Sequence, residues 1–129
     1  MIVLDTHVWL WWASVPSRLS RRVRQAIEDA DSLGICTISC WEVAMLVARG
    51  RISLDRDVET WVRQALAVEK VEPLTLTADI AVKAGLLDAD RFPGDPVDRI
   101  VYATASLHAA RLATKDRELR SYAPRHTLW

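Results

Sequence analysis

Ile2-Val3-Leu4-Asp5 stands at the start of the chain and decides the fold class, because a short, wholly apolar run ends there in an acid. Such a run predicts a strand that is buried on both faces. Similar runs follow at Gly34–Ile38, at Val71–Leu76 (a strand or an extended link), at Arg111–Thr114 and at His126–Trp129. Longer segments with helical spacing lie between them. Strands that alternate with helices in this way predict an α/β fold around a parallel sheet.

The spacing of apolar residues also predicts the helices. They are expected at His7–Ala13, from Pro16 to Ala30, after Ser39 as far as Gly50, around Val58–Leu66, from Thr77 to about Leu87, from Asp95 to about Ala109, and after Asp116. No internal repeat or linker-like stretch divides these segments. A chain of 129 residues is therefore expected to form one domain, residues 1–129, with one core.

Composition excludes several classes of protein. Seventeen Lys and Arg residues match 17 Asp and Glu residues, which excludes a polybasic nucleic-acid binder but not a basic patch beside an acidic one. Cys36 and Cys40 have no CxxC pair and no second Cys/His pair, so they predict reduced thiols rather than a disulfide scaffold or a zinc site. The early apolar run is too short for a membrane span and follows no basic segment, so we expect a cytoplasmic protein with no membrane contact.

Four carboxylates occupy equivalent places, each just after a predicted strand or in the first turn of a predicted helix. They are Asp5, Glu42, Asp98 and Asp116. The carboxyl ends of parallel strands and the first turns of the helices that follow them share one edge of a sheet, where ligand sites form. We therefore expect these acids on one rim, with Asp98 among them if its helix begins at the same edge.

Most of these acids also have a structural explanation when each is taken alone. Ser39 and Glu42 match a capping box, Asp95 and Asp98 match an N-cap with a second acid, and Asp116 matches a further N-cap. Four crowded carboxylates, however, repel one another unless a cation is present. Hard divalent cations such as Mg²⁺ take oxygen ligands, and such a site suits phosphodiester hydrolysis. The absence of GxSxG, GxGxxG and GxxxxGK[ST] disfavours α/β-hydrolase, dinucleotide and P-loop functions.

Four stretches of the sequence occur in the order typical of one family. They are Leu4-Asp5-Thr6-His7-Val8-Trp9, Ser39-Cys40-Trp41-Glu42-Val43, Asp95-Pro96-Val97-Asp98-Arg99 and Leu112-Ala113-Thr114-Lys115-Asp116. Over nearly its whole length the sequence resembles a PIN domain and, within that family, the VapC-type ribonuclease toxins of bacterial toxin–antitoxin pairs. The resemblance implies a single PIN-like α/β domain with a central parallel sheet of about five strands flanked by helices. It also implies endoribonuclease activity that depends on Mg²⁺ or Mn²⁺.

The resemblance assigns the four carboxylates to the catalytic metal site. Asp5 and Asp98 match the positions of direct metal ligands. Glu42 and Asp116 match positions that bind the metal through water or orient the nucleophile. For His7, at the start of a helix, we expect local packing or hydrogen bonding rather than a role as general base, because the metal already supplies hydroxide.

Supporting residues and partners also follow from the resemblance. Thr6 and Thr114 match hydroxyl positions that bond the carboxylates or the scissile phosphate. Arg99 matches a position that contacts phosphate, although an ion pair inside the fold is an equal alternative. The implied partners are an RNA substrate, a VapB-like antitoxin whose C-terminal segment lies in an apolar groove and blocks the metal site, and a second copy of the chain in a homodimer.

The first predicted helix is apolar on all sides. Residues 8–12 read Val-Trp-Leu-Trp-Trp, so Trp9, Trp11 and Trp12 cannot all face one core. We expect one or more of them to bind a partner chain. Trp61 fits the apolar stripe of its own helix and is expected in the core.

One cluster of arginines and two alternative functions complete the predictions from the sequence. Arg18, Arg21, Arg22 and Arg24 crowd one helix, either as a solvated face or as contacts to RNA phosphates or acidic antitoxin residues. The main alternative function is a non-catalytic PIN-fold domain that binds RNA or a protein. A metal-dependent phosphatase or phospho-acceptor domain is disfavoured, because His7 stands where such phosphatases need a second Asp.

Overall fold

A computed structural model describes residues 1–129 and shows a five-stranded sheet whose neighbouring strands are all parallel. The strands are β1 (Ile2–Leu4), β2 (Leu33–Cys36), β3 (Val71–Leu74), β4 (Arg111–Ala113) and β5 (Thr127–Leu128). Their order across the sheet is β3-β2-β1-β4-β5. The α/β fold and the number of strands predicted above are confirmed, and Val71–Leu74 is a strand rather than a link.

Seven α-helices connect and flank these strands. They are α1 (Thr6–Ser14), α2 (Arg21–Asp29), α3 (Thr37–Ala48), α4 (Val58–Leu66), α5 (Ala78–Leu86), α6 (Pro96–Leu107) and α7 (Arg117–Tyr122). The side chains of Thr77, Asp95 and Asp116 accept hydrogen bonds from the first turns of α5, α6 and α7, as their sequence positions predict. None of the helices is both long and apolar enough to cross a bilayer.

Two predicted helix starts are wrong. The segment after Pro16 forms only a short 3₁₀ turn, Pro16–Arg18, and α2 begins later because the Ser20 hydroxyl accepts a hydrogen bond from the Val23 N–H. In contrast, α3 begins at Thr37, directly after β2, and so earlier than expected. Ser39 lies inside this helix and does not cap it. The predicted capping box with Glu42 is therefore absent, and Glu42 lies beyond the first turn of α3.

The central strand β1 supplies side chains to both faces of the sheet. Leu4 packs in the cluster under α1 with Val8, Trp9 and Trp61, whereas Val3 packs in the cluster on the other face with Val101. Both Leu4 and Val3 are fully buried. Burial on both faces explains why the strand has no polar residue before Asp5.

The three tryptophans of α1 occupy different environments. Trp9 is 0% exposed, and its ring centroid lies 5.1 Å from that of Trp61, which is buried as predicted. Trp9 therefore belongs to the core, and its prediction as a partner-binding residue is wrong because no part of it reaches the surface. Trp11 and Trp12 are half-buried, and both remain accessible from outside the core.

The two outer strands are both poorly suited to further pairing. β3 includes Pro73, which has no N–H to donate. β5 consists of only two residues, Thr127 and Leu128. Neither edge of the sheet therefore offers a good surface for a ligand strand, whereas the carboxyl ends of the strands are where ligand sites form in parallel sheets.

Candidate active site

A cleft of about 810 Å³ opens at the carboxyl edge of the sheet, beyond the ends of β1 and β4. Ten residues line it: Asp5, His7, Glu42, Asp95, Asp98, Lys115, Asp116, Arg117, Arg120 and Trp129. The structure thus brings together all four carboxylates singled out in the sequence. It adds a fifth, from the α6 cap residue, together with three cationic side chains that the sequence analysis did not identify.

Asp5 is held from two sides. It follows β1 and caps α1, and its Oδ1 accepts a hydrogen bond of 2.8 Å from the Thr6 N–H. Its Oδ2 accepts a hydrogen bond of 2.8 Å from the Thr114 hydroxyl, which comes from the end of β4. One carboxylate oxygen has its donor at the β1–α1 junction, and the other has its donor at the β4–α7 junction. These two contacts fix the orientation of Asp5 before any ligand binds.

Thr114 connects Asp5 to Asp116. The same hydroxyl that donates to Asp5 accepts a hydrogen bond of 3.1 Å from the Asp116 N–H. The Asp116 Oδ1 in turn accepts a hydrogen bond of 2.8 Å from the Leu119 N–H and caps α7. Asp116 is exposed to solvent, whereas Thr114 is fully buried.

Thr6 connects the start of α1 to α3. Its buried hydroxyl donates a hydrogen bond of 3.0 Å to the Ser39 hydroxyl, which is also fully buried. This contact sets the position of α3, from which half-buried Glu42 reaches the cleft. Ser39 is a site-supporting residue that sequence analysis misassigned, because its serine and glutamate spacing also fits a helix cap.

Asp98 is presented by a reciprocal cap at the start of α6. The Asp98 N–H donates to Asp95 Oδ1 at 2.9 Å, and the Asp95 N–H donates to Asp98 Oδ2 at 3.2 Å. Gly94 lies directly against this cap, because a Cβ at that position would fall 2.5 Å from the Asp98 Cβ. A side chain at position 94 would therefore displace Asp98.

Burial and mutual repulsion raise the pKa values of the acids in the cleft. Burial raises the pKa of Asp5, although the hydrogen bonds from Thr114 and Thr6 oppose this shift. Burial raises the pKa of Glu42, and the charge of Asp5 adds to the effect. Burial, followed by the charges of Asp5 and Asp95, raises the pKa of Asp98 to about 7. Burial and repulsion therefore favour protonation of these acids, and a bound cation would favour the charged carboxylates.

The donor set fits a hard divalent cation that keeps part of its hydration. The acids of the cleft offer carboxylate oxygens, which Mg²⁺ and Mn²⁺ accept. No three of the His, Cys, Asp or Glu side chains are grouped closely enough to hold a metal ion by themselves. Mg²⁺ commonly binds through one or two carboxylates plus water, so a complete set of protein ligands is not required for Mg²⁺ to bind here.

Arg99 does not face the cleft. Its Nε donates to the Ala84 carbonyl at 3.2 Å, and its Nη2 donates to the Leu87 carbonyl, so it satisfies the C-terminal end of α5. The predicted alternatives for this residue, a phosphate contact and an ion pair, are both wrong in this structure. Among the arginines near α2, Arg21 and Arg22 lie near Ile2 and Arg111, at the opposite edge of the sheet from the acids.

The cationic and aromatic side of the cleft was missed in the sequence. Lys115 and Arg117 flank Asp116, while Arg120 lies on α7 and Trp129 follows β5. The signal for Lys115 and Arg117 was their position after a strand, the same criterion that identified Asp116. The positions of Arg120 and Trp129 depend on how α7 and β5 pack, and no local pattern indicates them.

A parallel α/β sheet with an acidic cleft at its carboxyl edge is typical of PIN domains, and a comparison with protein families gives the same result. The PIN domain family matches residues 2–124, and the chain belongs to this family. It is 45% identical to Ribonuclease VapC22 of Mycobacterium tuberculosis, over 99% of this chain and 98% of that protein. That identity identifies the VapC type of PIN domain.

Solved structures show the same fold. A toxin–antitoxin complex from Klebsiella pneumoniae matches with a TM-score of 0.71 at 22% identity, covering 100% of this chain and 97% of the other. VapBC2 from Rickettsia felis, bound to a DNA fragment from its promoter, matches with a TM-score of 0.71 at 13% identity, covering 99% and 98%. At these identities the likeness supports the architecture of the chain alone.

Proposed function

We propose that this chain is a metal-dependent endoribonuclease and the toxin of a toxin–antitoxin pair. The observation that carries the proposal is the convergence of Asp5, Glu42, Asp98 and Asp116 in one cleft, from four separate parts of the chain. The 45% identity to a ribonuclease of the VapC type supports the choice of RNA as substrate. Mg²⁺ is the proposed cofactor, and Mn²⁺ is expected to replace it.

We propose different roles for the residues of the cleft. Asp5 and Asp98 are the proposed direct ligands, and when bound the metal neutralises the phosphate and lowers the pKa of a coordinated water. Glu42 and Asp116 line the same cleft and would bind the metal through water or orient the nucleophile. Thr114 keeps one Asp5 oxygen in position, so its role is to orient a ligand rather than to contact the substrate.

Cleavage of total cellular RNA by the purified chain tests this proposal. The assay compares Mg²⁺, Mn²⁺ and EDTA, and it includes Asp98→Asn, which removes a charge while it keeps the shape of the side chain. Discrete fragments that require both metal and Asp98 would support the proposal. Cleavage that persists equally in Asp98→Asn would point to a contaminating ribonuclease. No cleavage, together with no effect of Mg²⁺ on the melting temperature, would contradict the proposal.

A non-catalytic domain that binds RNA or a protein is the second candidate. The observation in its favour is that no three acidic side chains are grouped as a complete set of metal ligands. Such a domain would bind its partner equally well in EDTA. Its biological effect would also be unchanged in Asp98→Asn, whereas the toxin proposal expects that variant to be harmless to cells.

The proposed antitoxin site is an apolar groove of about 410 Å³ between α1 and α4. Trp12, Ala13, Trp61, Ala65 and Val68 form its apolar lining, and Arg56 and Gln64 complete it. A structure similar to this chain is part of a toxin–antitoxin complex, which supports an antitoxin as the occupant. Trp12→Ala is expected to weaken antitoxin binding in a titration of the purified pair, with Trp41→Ala as the exposed control.

Trp11 lies on the cleft side of α1, beside Trp129. It is the proposed contact for a segment of the antitoxin that continues from the groove toward the acids.

A homodimer is also proposed. Val82 and Leu86, one turn apart on α5, are 61% and 80% exposed, which makes this face the candidate interface. Light scattering across a range of protein concentrations tests it. A mass equal to one chain at all concentrations would contradict the dimer, and a dimer that survives Leu86→Lys would place the interface elsewhere.

A further inference from the structure

One wall of the acidic cleft is aromatic and cationic. The ring centroids of Trp129 and Trp11 lie 6.0 Å apart, and those of His7 and Trp11 lie 5.9 Å apart. The Lys115 Nζ lies 5.5 Å from the Trp11 ring centroid and 6.0 Å from that of Trp129. We call His7, Trp11, Lys115 and Trp129 the aromatic wall. His7, Lys115 and Trp129 line the cleft directly, and Trp11 supports them from behind.

Packing against the core accounts for only part of this wall. Trp11 and Trp129 both pack against the core cluster under α1, but Trp129 is only partly buried and is the single apolar side chain that lines the acidic cleft. Aromatic side chains beside cations in a groove are the arrangement that proteins use to bind single-stranded nucleic acids.

We propose that the aromatic wall stacks one unpaired base of an RNA strand, beside the phosphodiester bond that lies at the acids, with Trp129 as the stacking residue. This inference rests on the proposed nuclease function and narrows its substrate to unpaired RNA. In an A-form duplex each base is covered by its neighbours, so a base reaches an aromatic side chain only where the strand is unpaired.

The cations next to the wall suit the phosphates of an RNA strand. Lys115, Arg117 and Arg120 line the same cleft as the five acids, and the proposed metal would offset part of the charge of those acids. The Arg120 Nη2 donates a hydrogen bond of 3.3 Å to the Lys115 carbonyl, which holds its guanidinium beside the wall. Phosphates on either side of the stacked base would therefore meet cationic side chains.

The test uses a short, unstructured RNA that carries 2-aminopurine, whose emission falls when the base stacks on an aromatic ring. Binding is measured with Mg²⁺ in the full-length Asp98→Asn chain, in which cleavage is expected to stop. Trp129→Leu keeps the apolar packing and removes the aromatic face, Trp129→Phe restores an aromatic face, and Trp41→Ala is the control for an exposed tryptophan outside the cleft.

We expect Trp129→Leu to abolish the quenching and to weaken RNA binding by about 5- to 100-fold, the range for loss of one stacked base. Trp129→Phe should retain most of both, and Trp41→Ala should change neither. A strand with an abasic site in place of the stacked base should bind Trp129→Leu and its parent equally. His7→Ala provides a second variant of the wall, with a smaller loss expected.

Several outcomes would overturn the inference. Equal quenching with Leu or Trp at position 129, or equal affinity for duplex and single-stranded RNA, would show that no unpaired base stacks there. Unchanged RNA binding together with weakened antitoxin binding would assign the wall to the protein partner. Failure of the wild-type chain to cleave any RNA would contradict the proposed function alone, because base-dependent quenching is measured without cleavage.

Discussion

Asp5 and Trp9 lie four residues apart, the first in the acidic cleft and the second in the apolar core under α1, yet they contribute in opposite ways to the protein. Trp9 is fully buried against Trp61 and stabilises the fold through its apolar surface. Asp5 is held in place against its own electrostatics, because burial raises its pKa. The difference indicates that apolar burial at Trp9 helps to offset the free-energy cost of burying the Asp5 carboxylate.

Asp5→Asn sharpens this comparison most strongly. Loss of one charged ligand is expected to reduce RNA cleavage by about 10³- to 10⁴-fold, which corresponds to several kcal/mol of transition-state stabilisation. The melting temperature of the metal-free protein should stay the same or rise, since a buried charge is removed. Cleavage rates and thermal melts of the two purified proteins measure both effects. If the variant cleaves RNA at the wild-type rate, Asp5 has no role in catalysis.

Trp9→Ala tests the other half of the comparison. The free energy of unfolding is expected to fall by about 3–5 kcal/mol, because a large side chain is lost from a packed interior. The kcat of the molecules that remain folded should be unchanged, since Trp9 does not reach the cleft. Urea unfolding with the exposed Trp41→Ala as control measures the loss of stability, and the control should change stability by no more than about 0.5 kcal/mol. A kcat that falls in proportion to stability would show that the core and the acidic cleft are not independent.

Thr114→Val tests the hydrogen bond by which the buried Thr114 hydroxyl holds Asp5 in the cleft. The substitution keeps the volume and removes the hydroxyl that positions Asp5, so cleavage is expected to fall by about 10- to 100-fold, as for other groups that orient a metal ligand. Thr104→Val is the matched control, because this buried threonine donates to the Ile100 carbonyl within α6. Equal activity losses in both variants would mean that Thr114 acts through general packing.

The pH dependence of stability gives the smallest expected effect. Asp98 has a pKa of about 7 in the folded chain, above its ordinary value of 3.8. Between these values the folded state binds more protons than the unfolded state, so the metal-free protein should lose stability as the pH rises through this range. Mg²⁺ should restore stability, with a gain that shrinks as the pH falls below about 7. Thermal melts with EDTA or Mg²⁺ follow this, and a pH slope unchanged in Asp98→Asn would contradict the assignment.

The alternation of apolar runs and helical segments was sufficient to predict four strands of the sheet, because β1, β2, β4 and β5 are short and mostly buried. For β3 the sequence predicts a strand or an extended link equally, because the exposed Glu72 and Pro73 interrupt its apolar residues. The carboxylates were also predictable, since strand ends such as the one before Asp5 meet at one edge in any parallel sheet. The start of α3 was not predictable. The local sequence fits a capping box at Ser39, whereas in the folded chain the Ser39 hydroxyl accepts a hydrogen bond from Thr6, 33 positions away.

The aromatic wall was beyond prediction for a similar reason. Trp11 and Trp129 come together only when α1 and the segment after β5 pack against each other, although β4 separates β1 from β5 in the sheet. The partner role assigned to Trp9 failed because an apolar helix shows how much surface must be covered without showing which residue faces the core. Tertiary contacts, rather than local propensity, decide both cases.

The blunted outer strands described for the sheet have a consequence for behaviour at high concentration. An exposed strand edge is a template on which another chain can add a strand, and this is the usual route to β-aggregates. Pro73 interrupts the donors of β3, and β5 is only two residues long. Growth of the sheet from one molecule into the next is therefore disfavoured at both ends.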